Sequence, residues 1–72
     1  MNKKSILEGA GEDDPVRVYK TDLSNRSIRE IVLVKEFEKM RCLVLSYNLI
    51  TRIENLQCFP DLRELHIESN GL

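Results

Sequence analysis

Residues 40–50, Met-Arg-Cys-Leu-Val-Leu-Ser-Tyr-Asn-Leu-Ile, and residues 62–72, Leu-Arg-Glu-Leu-His-Ile-Glu-Ser-Asn-Gly-Leu, follow one pattern. Met40, Leu43, Leu45, Asn48 and Ile50 are matched 22 residues later by Leu62, Leu65, Ile67, Asn70 and Leu72. One period earlier lie Val18, Thr21, Leu23, Arg26 and Ile28, where the three aliphatic positions fit and Thr21 and Arg26 do not. The stretch between the motifs repeats too: Ile31 aligns with Ile53, Val34 with Leu56, Phe37 with Phe59 and Met40 with Leu62. A fixed period of this length is the mark of an architecture built from stacked units.

The spacing predicts a short strand around Leu43 and Leu45, because alternation sends those two side chains inward and Cys42, Val44 and Ser46 outward. Strands stacked in parallel satisfy one another's backbone groups. Asn48 and Asn70 follow the strand, where the chain turns away from the ladder; a side-chain amide offers both donors and an acceptor to the backbone groups left there. In the return half, Ile31, Val34, Phe37 and Met40, then Ile53, Leu56, Phe59 and Leu62, recur at intervals near three, which suits one or two helical turns. Pro60 discourages helix at Phe59. Arg29 to Met40 also reads as an ordinary amphipathic helix, but that reading leaves the later matched positions unexplained.

On these residues the chain resembles the leucine-rich-repeat family, whose pattern is L-x-x-L-x-L-x-x-N-x-L with a period of about 20 to 29 residues. The 22-residue spacing and Ile53-Glu54-Asn55-Leu56 are similar to the subclass found in a protein-phosphatase regulatory subunit and in many ciliary proteins. The resemblance covers roughly residues 16–72. It implies an α/β fold: a leucine-rich-repeat solenoid fragment, with short parallel strands on a concave face and helical turns or short helices on the convex side. It further implies a protein-binding scaffold, in the cytoplasm and, by the same resemblance, at a cilium or centrosome.

Composition narrows the function classes. A net charge of -1, from 11 basic and 12 acidic side chains, supplies no field to gather nucleic acid or anionic membrane. The opening residues Met1 to Leu7 lack the apolar run of a secretory signal, and no apolar stretch is long enough to span a bilayer. Cys42 and Cys58, without an export signal, read as reduced thiols on or near the surface. With one histidine the chain lacks the cluster a four-ligand zinc site requires, so no metal is expected. No nucleophile or phosphate-cradling glycine loop accompanies His66, which lies between Glu64 and Glu68; the expectation is no enzyme activity, no cofactor and no small-molecule substrate.

Function is expected on the outward strand positions. They form the rows Lys20, Cys42, Glu64, then Asp22, Val44, His66, then Ser24, Ser46, Glu68, with Asn25, Tyr47 and Ser69 just beyond. Tyr47 is the leading candidate contact, since tyrosine supplies stiff, amphipathic area. Residues 1–15, with Gly9, Gly11 and the acidic run Glu12, Asp13 and Asp14, read as a flexible N-terminal tail in which Ile6 and Leu7 could dock over the first coil. Residues 16–72 read as a partial array, truncated within its last motif and with an uncovered flank at Ile67 and Leu72. The competing expectation is an unstable truncated product with no binding role of its own. An RNA-associated repeat protein is a third reading, and it lacks the basic and aromatic patch RNA would need.

Overall fold

A computed structural model describes all of residues 1–72. Three strands, β1 (Lys20–Asp22), β2 (Cys42–Val44) and β3 (Glu64–His66), form one parallel sheet in the order β1-β2-β3. The fold is thus α/β, with a mixed complement of helix and parallel strand. Lys20, Cys42 and Glu64 stand in register, as do Thr21, Leu43 and Leu65, and Asp22, Val44 and His66. The residues matched in the sequence are therefore neighbours across the sheet.

Backbone pairing runs past the three-residue strands. Leu23 N–H donates to the Val44 carbonyl at 2.8 Å and Leu45 N–H to that of His66 at 2.7 Å. Asn25 N–H then reaches Ser46 and Tyr47 N–H reaches Glu68. At that point the chain turns: Asn25, Tyr47 and Ser69 all take left-handed backbone, at φ 57°, 59° and 59°. A left-handed residue there costs a non-glycine side chain strain, least for asparagine.

The two asparagines stitch each turn to the strand layer before it. Asn48 is buried; its Nδ2 donates to the Leu23, Leu45 and Ser46 carbonyls, and its Oδ1 accepts from the N–H groups of Arg26 and Ile28. Asn70 does the same one layer on, donating to Leu45 and Ile67 and accepting from Ile50 N–H. Each amide thus serves its own turn and the layer before it, and Arg26, exposed in the matching place of the first layer, has its backbone N–H served by Asn48.

The core lies between the sheet and the return segments. Leu23, Leu43, Leu45, Ile28, Ile50, Ile31, Phe37, Met40 and Phe59 form one buried cluster, each contributing about 1.5–3 kcal/mol by leaving water. The return half is less regular than the spacing suggests. Residues 29–41 contain turns but no helix, and only Leu56–Cys58 makes a 3-10 turn, ending at Phe59 before Pro60. Ile31 is buried while its counterpart Ile53 is 52% exposed, because the segment that carries Asn55, whose amide donates to the Ile31 carbonyl, overlies the former, and no segment overlies the latter.

The N-terminal residues depart most from expectation. Instead of a flexible tail, Lys3–Ala10 form helix α1, packed against β1. Asn2 caps it in a reciprocal box with Ser5, and Gly11, at φ 66°, closes it in left-handed backbone. The two glycines read as marks of mobility have structural duties. A Cβ on Gly9 would lie 2.6 Å from the Asp22 carbonyl oxygen and 2.6 Å from Thr21 Oγ1, so glycine alone permits this approach of helix to strand. Ile6 is fully buried in the core, and the Thr21 hydroxyl donates to its carbonyl at 2.7 Å. The polar residue in an inward strand position thereby has its partner. A 3-10 turn at Pro15–Arg17, capped by the Asp14 side chain, leads into β1. No helix is long and apolar enough to cross a membrane.

Candidate functional site

The outward face of the sheet brings the predicted residues together. Lys20 and Asp22 from β1, Cys42 and Val44 from β2, and Glu64 and His66 from β3 alternate with the inward Thr21, Leu43 and Leu65, so one side of the sheet carries them all. Ser24, Ser46 and Glu68 extend the face along the continued pairing, and Tyr47 stands at its margin, 57% exposed.

Exposure divides this face into a middle and two banks. Lys20, Asp22, Glu64, His66 and Glu68 are exposed, Val44 and Ser24 are half-buried, and Cys42 and Ser46 are buried. Cys42 is therefore no surface thiol, although it lies on the outward side. A small residue on a central strand is screened by longer side chains of both neighbours, and alternation alone does not report that. Cys58, on the return side, is half-buried, and its Sγ donates to the Asn55 carbonyl at 2.9 Å; both cysteines are free thiols.

The charges on the banks are tuned by short-range hydrogen bonds. The Ser24 hydroxyl donates to Asp22 Oδ1 at 2.6 Å and the Ser24 N–H at 3.0 Å, which holds the Asp22 carboxyl below its ordinary range, with Lys20 and Arg26 assisting. Glu68 is lowered first by its own backbone N–H and then by the nearby Ser46 hydroxyl. The buried Ser46 Oγ nonetheless has no partner in good hydrogen-bond geometry, so its help to Glu68 is weak. Burial, followed by the adjacent Glu64 carboxylate, pushes the Cys42 thiol up, favouring the neutral S–H.

Comparison with protein-family models, with curated proteins and with solved structures found no match. The face must accordingly be read from its own chemistry.

Two features were missed in the sequence. Tyr19 is 48% exposed at the margin opposite Tyr47, and the Arg41 guanidinium carbon lies 5.7 Å from its ring centroid, a cation–π arrangement. Tyr19 and Arg41 are one period apart, so the row preceding Lys20, Cys42 and Glu64 could have exposed the pair. The second is a convergence of donors. Cys42, Glu64 and His66 each present a ligand atom, all within 4.8 Å of one another. In the sequence His66 is framed by Glu64 and Glu68 along one strand; the register adds the thiol from the next strand.

Proposed function

We propose that the chain is a leucine-rich-repeat protein-interaction module whose outward sheet face, the concave face of that architecture, binds a protein partner. The observation that carries this reading is the alignment of outward side chains from three in-register strands into one surface, bordered by exposed Tyr19 and Tyr47. Stiff aromatic side chains beside charged, hydrogen-bonding banks are what protein recognition uses, because tyrosine gives contact area at small entropic cost. The face carries Asp22, Glu64 and Glu68 against Lys20, which favours a partner segment rich in basic and hydrogen-bond-donating groups.

Inward positions are spent on the core, so outward ones are free to set specificity. The test is quantitative affinity capture with the chain, with a Tyr47→Ala, Glu64→Ala double variant, and with Leu33→Ser on the opposite side. Leu33 is 64% exposed and lies outside the face. The expected result is a partner retained by the parent and by Leu33→Ser and lost by the double variant. Equal retention by the parent and the double variant would defeat the proposal.

A further inference from the structure

We propose that Cys42, Glu64 and His66 form a binding site for a divalent transition ion of the zinc class on the outward face of β2 and β3. Parallel pairing places Cys42 directly opposite Glu64, and the two-residue period returns His66 to the same face. The three ligand atoms lie within 4.8 Å of one another, and His66 Nε2 is 3.9 Å from Glu64 Oε2. Glu64 has no lysine or arginine within ion-pair distance, so no side-chain cation of that kind competes with a metal ion for its carboxylate.

The donor set selects the ion. One sulfur, one imidazole nitrogen and one carboxylate oxygen are the three ligand types zinc takes, whereas magnesium and calcium demand oxygen throughout. Ligand bonds of about 2.0–2.3 Å around a tetrahedral ion put neighbouring donors about 3.5 Å apart. The cluster must therefore contract by about 1 Å, which side-chain rotation supplies. Glu64 and His66 are exposed and free to rotate, while buried Cys42 provides the fixed point. On coordination the Cys42 S–H bond breaks, its proton passes to solvent and the sulfur binds the metal as thiolate, with no change of oxidation state. Three protein ligands leave the fourth position to water.

The experiment titrates the full reduced chain with Co2+ and reads the near-ultraviolet thiolate-to-cobalt charge-transfer absorption, then displaces the cobalt with Zn2+. The expected result is a band saturating at one equivalent and abolished by zinc. It is absent in Cys42→Ser, retained in Cys58→Ser, and shifted to weaker affinity by on the order of tenfold or more in His66→Gln. Far-UV circular dichroism of each variant, and a zinc-dependent rise in the parent's melting temperature that Cys42→Ser lacks, separate loss of the site from loss of the fold. No band in the parent, a band surviving in Cys42→Ser, or one lost only in Cys58→Ser would overturn the proposal.

Discussion

The two flanks of the sheet are built on the same strand pattern and finished differently. Beside β1 the sequence supplies helix α1, which inserts Ile6 into the core, approaches through Gly9 and accepts the Thr21 hydroxyl on the Ile6 carbonyl. Beside β3 no such element packs, and burial falls accordingly: Leu43 is fully buried, its register partner Leu65 is half-buried and Leu72 is 60% exposed. A side chain's spacing therefore decides which way it points, and the neighbouring layer decides how much that direction is worth.

The largest test of this difference compares the two asparagines. Asn48 lies between layers and serves five backbone groups, whereas Asn70 lies at the open flank and is only partly buried. Removing an amide that buried donors and acceptors depend on leaves them unsatisfied, at a cost of about 1–3 kcal/mol each where water cannot enter. Asn48→Ala is expected to lower stability by about 4 kcal/mol, and Asn70→Ala by about 1 kcal/mol because solvent replaces its bonds. Urea denaturation of both variants reads the contrast. Equal losses would mean that the open flank is as well sealed as the middle.

The next test is made on the apolar side chains of the two flanks. Ile6→Ala removes a fully buried side chain and leaves a cavity under α1, for an expected loss of about 2–4 kcal/mol. Leu72→Ala, at a side chain already 60% exposed, should stay within about 0.5 kcal/mol. Thermal melts of the two variants beside the parent are sufficient. An Ile6→Ala loss no larger than that of Leu72→Ala would show that α1 is an appendage and not a cover.

What was legible beforehand follows the same division. Leu43 and Leu65 could be placed side by side because they occupy equivalent positions of a repeated strand, and the outward rows follow from that register alone. The helix was hidden because its marks are local. Gly9 and Gly11 look like chain-looseners by composition; the approach to Thr21 and Asp22 shows Gly9 as a contact, and the left-handed backbone of Gly11 shows it as a helix terminator. Thr21 looked like a defect in the pattern because its partner, the Ile6 carbonyl, belongs to the segment read as a tail. At the site, the donor trio required two steps at once, the register across strands and the period along one. His66 and Glu64 come from the second alone; Cys42 needs the first.

The smallest expected effect concerns pH, and it lies at the covered flank. Asp22 accepts both the Ser24 hydroxyl and the Ser24 N–H, with Lys20 and Arg26 the charges that favour its ionised form; its partner across the sheet, Val44, is neutral. The folded value is therefore below the ordinary 3.8, which an unfolded chain would show. A depressed carboxyl contributes stability that is complete above the unfolded value and fades as pH falls through the folded one. Asp22→Asn should thus flatten the acid limb of melting temperature against pH between about pH 5 and pH 2, leaving the neutral region nearly unchanged. Because Asp22 is exposed, solvent screens the interaction and the difference amounts to no more than a few tenths of a kcal/mol. A carbon-13 titration of the Asp22 carboxyl, repeated in Ser24→Ala, isolates the hydroxyl. The midpoint should rise toward the ordinary value once it is gone, and a midpoint that does not move would transfer the effect to the Ser24 N–H, which the variant keeps, and to the neighbouring cations.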